Sequence, residues 1–336
     1  MTTRRRFLSI VAASLGAASL NLVHASDRRT VSVWRGTAMG ALASMTLVHP
    51  DRSKAQAVIA ECVREIERLE SIFSLYRPAS AISRLNDAGQ LAHPPHALVE
   101  LLSFALALSR DTAGAFDPTI QPLYRLYARH FSQPRPTSAG PSARDIEAVL
   151  RAVDFRAVDV DGSRIVLRRA GMALTLNGVA QGYITDRIAE RLRGSGFDDV
   201  LVDIGEARAL GLGPDGVPWR AGIADPRRPE AIVAHVTLGE GRDRHAALAT
   251  SGGYGMRFGP DPSIHHLFDP RTGRSANQWL SVSVTAGRAT VADGLSTSLA
   301  IVPPRRGAAL LRAHGPARAY FVDARGVVSR MESRDG

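Results

Sequence analysis

The chain has 336 residues, 45% of them hydrophobic and 22% charged, the composition of a soluble globular protein large enough to bury a sizeable core. Its formal net charge is +10, but the basic residues are scattered without interleaved aromatics, which excludes a nucleic-acid surface and leaves a mildly basic face suited to an anionic nucleotide or to work near a membrane. Cys62 is the only cysteine, which excludes an intrachain disulfide and a cysteine-based metal site.

The first residues read as a targeting segment. Thr3-Arg4-Arg5-Arg6-Phe7-Leu8 is a twin-arginine n-region, a modest apolar stretch runs to Val23, and Val23-His24-Ala25 precedes a cut after Ala25. The apolar run is short and diluted by Ala, Ser and Gly, which disfavours a stable membrane span. The expected organisation is a twin-arginine signal peptide over 1–25 and one domain over 26–336, exported already folded to the periplasm.

Asp51 to Phe73 reads as an amphipathic helix with Val58, Ile59, Cys62, Val63, Ile66, Leu69 and Phe73 on one stripe, so Cys62 is expected as a buried thiol. A second helix runs from about Pro95 to Asp111. Between them, Phe73 to Pro78 and Ser80 to Asn86 read as loop because of Pro78 and the small polar residues. Tyr76 in that loop either stacks on a ligand ring or lids the core. Gly114 to Thr119 ends a helix and begins a turn, with Asp117 extended before Pro118. Ser132 to Ser142 is a surface loop, Asp145 to Val153 a short helix, Arg164 to Arg169 a strand, and Ala173 to Leu176 a further strand candidate.

Asn177-Gly178-Val179-Ala180-Gln181-Gly182-Tyr183 opens a helix through Ile184, Ile188 and Leu192. Such a glycine-bearing turn offers free backbone N–H groups to an anion, although a plain strand-to-helix turn looks the same. Strands follow at Val200–Ile204, Ala231–Leu238 and Leu248–Ser251. His265-His266 with Asp269 invites a zinc reading, but the spacing is not that of a helical zinc motif. In Ala289 to Thr297, Asp293 and Thr297 stand one helical turn apart on one face. A carboxylate and a hydroxyl so placed are hard oxygen ligands suited to Mg²⁺, with a phosphate completing the shell; the alternative is that Asp293 merely caps a helix start. A helix at Gly307–Ala313 and a strand at Ala319–Val322 close the chain.

In this order the segments resemble the ApbE family of FAD:protein FMN transferases. Met39-Gly40 is similar to the family's early Met-Gly-Thr, with Ala41 in place of Thr. Ser74 to Asn86 is similar to its Ser-x-Tyr and Ser-x-x-Asn element, and Ala115-Phe116-Asp117-Pro118-Thr119 to its Phe-Asp-Pro-Thr element. Ala180-Gln181-Gly182-Tyr183 with Asp186 resembles its Ala-Lys-Gly-Tyr helix start, His266 to Gly273 its His-x-x-Asp-Pro-x-Thr-Gly signature, and Ala292 to Thr297 its Ala-Asp-x-x-x-Thr helix. Two positions depart: the usual Lys is Gln181, and a Gly-Gly pair is reduced to Gly205 followed by Glu206. The exported form looks like the NosX branch, which is paired with the membrane flavoprotein NosR.

The resemblance implies a compact α+β fold of two close lobes with a nucleotide cleft between them. It implies FAD as substrate, Mg²⁺ as metal, and a Ser or Thr hydroxyl of an acceptor flavoprotein as the group that receives FMN, with AMP released. Met39, Tyr76, Ala115, Phe116, Asp117, Asn177, Gln181 and His266 would hold the flavin and nucleotide; Asp293, Thr297 and the carbonyl of Ala180 would hold the metal. His266 would serve as base, with Asp293 the second catalytic residue. Two other activities remain open on these residues: a Mg²⁺-dependent FAD pyrophosphatase yielding FMN and AMP, and a non-catalytic flavin-binding maturation protein.

Overall fold

The structure, a computed structural model, describes residues 29–239 and 245–333. The expected signal peptide, residues 1–25, lies outside the described residues. Among these, no helix is long and apolar enough to cross a membrane.

Strands β1 (Val31–Ala38) and β2 (Ala41–Val48) form a hairpin whose two turn residues, Met39 and Gly40, have φ of 49° and 76°. Positive φ at both positions suits the right-handed twist of the flanking strands, and Gly40 takes it without strain. Helix α1 (Arg52–Phe73) follows. Asp51 caps it by accepting from Lys54 N at 2.9 Å, and its buried stripe runs Ala55, Val58, Cys62, Ile66, Leu69, Ile72 and Phe73. Burial pushes the Cys62 thiol up to about 12, so it is an inert core residue.

Residues 80–86, expected as loop, instead begin helix α2 (Ala81–Ala88). The small polar residues are its cap: Ser80 Oγ accepts from Ser83 N at 3.1 Å, and Gly89 ends the helix at φ 71°. Asn86 donates through Nδ2 to the Leu174 carbonyl at 2.9 Å and accepts from Leu174 N at 2.6 Å. That side chain takes the ladder positions of the Ala173–Leu176 segment, which is therefore buried but forms no strand. β3 (Gln90–Ala92), β4 (Val158–Val160) and β5 (Arg164–Leu167) make a small antiparallel sheet. Helices α3 (His96–Asp111), α4 (Gln121–Phe131) and α5 (Ala143–Leu150) lie between β3 and β4 in the chain.

The remaining elements are helix α6 (Ala180–Gly194), strands β6 (Val200–Asp203), β7 (Ala207–Leu210), β8 (Trp219–Asp225), β9 (Arg228–Leu238) and β10 (Ala247–Gly252), and the two-residue strands β11 (Phe268–Asp269) and β12 (Arg274–Ser275). Then come β13 (Ser281–Ala286), helices α7 (Ala289–Ile301) and α8 (Pro304–Ala313), β14 (Ala317–Val322) and β15 (Val328–Glu332). One eight-stranded antiparallel sheet, ordered β1-β2-β6-β7-β10-β13-β14-β15, is the frame. Val282, Val284 and Ala286 of β13 face the main core, which also holds the buried stripes of α1, α6 and α7. The opposite face is covered by the β8–β9 hairpin through Trp219, Ala221, Ile223, Val236 and Leu238. A separate cluster of Leu123, Leu126, Tyr127, Ile146, Phe258 and Phe268 forms the second lobe, so the architecture is α+β with two close lobes.

Helices α6 and α7 cross so closely that a Cβ on Gly182 would lie 2.4 Å from the Ala289 carbonyl oxygen. Neither helix caps its own N-terminus with a side chain. Each caps the other instead. Asp186 of α6, fully buried, accepts from Ala289 N at 2.8 Å and from Thr290 N at 3.0 Å, and Asp293 Oδ2 of α7 accepts from Gly182 N at 3.1 Å. Two buried carboxylates thus satisfy the orphan N–H groups of two helix starts and lie at the positive ends of their dipoles. Arg208 Nη1 donates to Asp186 at 2.7 Å and balances its charge.

Candidate active site

A cavity of about 430 Å³ opens between the lobes. Its walls bring together Tyr76, Ala115, Phe116, Asp117, Asn177, Gln181, His266, Asp293 and Thr297, residues expected at the site from five separate stretches of chain. Two expected residues are elsewhere. Met39 lines a neighbouring cavity, which meets the first at Tyr76, a rim residue with 73% exposure. Ala180, the first residue of α6, is fully buried and does not line the cavity.

Asp117 is buried, and the structure uses both of its oxygens internally. Oδ1 accepts from Thr119 N at 2.8 Å and Thr119 Oγ1 at 2.6 Å, while Oδ2 accepts from Phe155 N at 3.1 Å. Burial raises its pKa against these bonds. Its contribution is to fix the turn that presents Ala115 and Phe116.

Asp293 stands in the second turn of α7, so it is not the cap of its own helix; it caps α6. Thr297 follows one turn later, and its hydroxyl contacts Ser251 Oγ of β10 at 3.1 Å. Gly178 makes room in front of it: a Cβ there would lie 3.2 Å from Thr297 Oγ1. The pair is a carboxylate and a hydroxyl, a donor set that fits a hard cation such as Mg²⁺. Among the described residues no group of three or more His, Cys, Asp or Glu gathers as a metal site. A cation here would therefore rest on one carboxylate plus hydroxyl, carbonyl and substrate oxygens.

The two histidines differ in kind. His265 is buried; its Nδ1 accepts from Leu267 N at 3.3 Å, so Nε2 carries the proton and donates to Asn277 Oδ1 at 3.1 Å. Burial lowers its pKa, which keeps it neutral and structural. His266 lines the cavity, and its Nδ1 lies 3.2 Å from the Met256 carbonyl. A carbonyl only accepts, so Nδ1 holds the proton and Nε2 is the basic nitrogen.

Gln181 is only 7% exposed, and its amide nitrogen has no hydrogen-bond partner among the described residues. It packs onto Gly205, at φ 84°, where a Cβ would come within 2.2 Å of Nε2. The positive φ is what favours glycine at this position of the reduced pair, and an added Cβ would also displace the Gln181 amide. The other position, Glu206, is 5% exposed; its Oε2 accepts from Thr250 N at 3.1 Å. Glu206, Thr250, Ser251 and Tyr254 also line the cavity; of these only Glu206 stands out in the sequence, as the departure from the Gly-Gly pair. The signal available was the strand Leu248–Ser251 running into Gly252-Gly253, a strand end that opens into irregular backbone. Burial first, and the Glu206 charge second, push the Tyr254 phenol up to about 12.

Known proteins share this sequence pattern and fold. The sequence matches the pattern described as the ApbE family over residues 39–321. It is 30% identical over 315 residues to the FAD:protein FMN transferase of Treponema pallidum (strain Nichols), covering 84% of this chain and 83% of that one. It is 29% identical over 302 residues to the FAD:protein FMN transferase of Klebsiella pneumoniae (strain 342), covering 87% and 84%. Among solved structures, the ApbE protein of Thermotoga maritima aligns with a TM-score of 0.78 at 27% identity, over 90% of this chain and 97% of that one. The apo form of the flavinyl transferase ApbE of Pseudomonas stutzeri aligns with a TM-score of 0.76 at 28% identity, over 92% and 98%. With the pattern spanning both lobes and the fold shared over nine-tenths of its length, the chain belongs to the ApbE family.

Proposed function

We propose that this protein is a Mg²⁺-dependent FAD:protein FMN transferase that moves FMN from FAD to a Ser or Thr hydroxyl of an acceptor flavoprotein and releases AMP. The observation that carries the reading is the placement of Asp293 and Thr297 on one wall of the inter-lobe cavity, with His266 on the same cavity. Family membership and the relatives' names support it.

The chemistry is an in-line displacement at the phosphorus on the riboflavin side of the pyrophosphate. The acceptor oxygen forms the new P–O bond, the P–O bond to the AMP phosphate breaks, and the acceptor's proton passes to His266 Nε2. The Met256 carbonyl holds the imidazole in the tautomer that can take it. Bound at Asp293 and Thr297, Mg²⁺ would neutralise the crowded pyrophosphate oxygens and stabilise the leaving phosphate. Tyr76, Phe116, Asn177 and Gln181 position the substrate, with Met39 at the adjoining cavity. The orphan N–H of Gln181 finds its acceptor on the bound nucleotide or flavin.

Residues 1–25 support export by the twin-arginine route to the periplasm, and a membrane-bound acceptor of the NosR type suits that location. The test is mass spectrometry of such an acceptor after incubation with this protein, FAD and Mg²⁺. An acceptor gaining one FMN on a Ser or Thr is expected. AMP released at the same rate without acceptor would mean a pyrophosphatase, and no AMP in either case would mean a non-catalytic binder.

A further inference from the structure

Behind Thr297 lies a chain of hydroxyls whose proton direction is fixed. Ser296 Oγ donates to the Asp293 carbonyl at 2.9 Å. A carbonyl only accepts and a hydroxyl has one proton, so Ser296 has none left for Ser251 Oγ, 2.8 Å away. Ser251 must therefore donate to Ser296. With that proton committed, the 3.1 Å contact between Ser251 Oγ and Thr297 Oγ1 is a bond donated by Thr297. The Thr297 proton points back into β10, and its lone pairs are left for the cavity. Ser251 shares that cavity wall, whereas Ser296 is fully buried and does not line it.

We propose that Ser251 and Ser296 are positioning residues that hold Thr297 as a pure acceptor toward a divalent cation. The inference rests on the reading of Asp293 and Thr297 as metal ligands. Without the relay, a helical Thr hydroxyl turns its proton to the carbonyl one turn back, here that of Asp293, which already accepts from Ser296. The relay gives the Thr297 proton a fixed acceptor on β10 instead. It also places the control of metal affinity 45 and 46 residues away in sequence, on the strand that α7 packs against.

The experiment is a Mn²⁺ titration of the full chain, read as loss of the free-ion electron paramagnetic resonance signal, with Mg²⁺ competition. Ser251→Ala is expected to weaken Mn²⁺ binding about five- to tenfold, the worth of one ordered hydrogen bond. Ser296→Ala, remote from the cavity, should weaken it by a smaller factor, and Ser251→Thr, which keeps the hydroxyl, should bind as the native protein does. In a Thr297→Val background, Ser251→Ala should have no further effect. If Thr297→Val weakens binding but Ser251→Ala and Ser296→Ala do not, the relay is wrong and the metal site stands. An equal loss from Ser251→Ala in the Val background assigns Ser251 a purely structural role and also overturns the proposal. If Thr297→Val leaves Mn²⁺ binding unchanged, the metal reading fails and the relay falls with it. Should Ser251→Ala not fold, Ser296→Ala decides alone.

Discussion

Gly182→Ala separates two physical effects that predict opposite signs. In an ordinary helix interior the change gains about 0.5–1 kcal/mol, because alanine loses less backbone freedom on folding. Gly182 is not in an ordinary helix. The added Cβ would lie 2.4 Å from the Ala289 oxygen, 2.6 Å from its carbonyl carbon and 2.9 Å from Asp293 Cβ. The first two of these are backbone atoms, so no side chain can swing aside; α6 and α7 must part by most of an ångström. Overpacking of this kind costs about 1–3 kcal/mol. Parting also lengthens the bond from Gly182 N to Asp293, and a hydrogen bond to a charged group contributes about 1.5–3 kcal/mol. The expected net loss is about 2–5 kcal/mol, read from urea unfolding followed by circular dichroism. Mn²⁺ affinity should fall in the residual folded protein, because Asp293 moves with α7. A variant as stable as the native protein, or more stable, would refute the close crossing and the reciprocal capping built on it.

Four other outcomes are expected. Asp293→Asn can still accept from Gly182 N but loses the charge that holds a hard cation, so melting should change little while FMN transfer collapses and partly recovers in excess Mg²⁺; Thr297→Val should behave likewise, and native Mg²⁺ dependence in both would place the metal elsewhere. Gln181→Lys adds a charge at a cavity-lining amide that has no partner among the described residues, and FAD binding should tighten by up to about 1.5–3 kcal/mol in a fluorescence titration; an unchanged isotherm would remove Gln181 from the binding surface. Burial pushes the Asp203 carboxyl up from 3.8 to about 6, so the stability of its protonated folded form is fully present below about pH 4 and lost as pH rises through 6. Asp203→Asn should therefore stabilise the fold above pH 6 by at most about 3 kcal/mol and not at pH 4; parallel stability curves for the two proteins would contradict this. Arg4→Lys with Arg5→Lys should leave the precursor in the cytoplasm on cell fractionation, and normal export would end the twin-arginine reading.

What was legible in the sequence follows from how far apart the cooperating residues stand. Asp293 and Thr297 were legible because helical periodicity alone puts residues four apart on one face. The stripe of α1 was legible for the same reason, down to the buried Cys62. Ser80 and Ser83 misled because the residue types that cap a helix are those that populate loops, and only the Ser80–Ser83 bond tells them apart. Ala173–Leu176 misled because an apolar run reports burial, not ladder pairing; its partner was one side chain, Asn86, 88 positions away. Ser251 and Tyr254 were silent for a related reason: no period connects a strand end to the helix it faces. Asp186 shows the limit most clearly. It could be matched to a motif, yet its work is done on Ala289 and Thr290, more than 100 positions later. The site depends on that long reach. Asp293 is held at the cavity because Asp186 anchors the start of its helix, and α6 offers its N–H to Asp293 in return. Removing the side-chain acceptor at either position, as Asp186→Ala or Asp293→Ala does, therefore leaves one helix start uncapped and loosens the crossing that holds the other, and the candidate metal pair cannot be perturbed through its scaffold without perturbing the turn at Asn177–Gln181 that faces it.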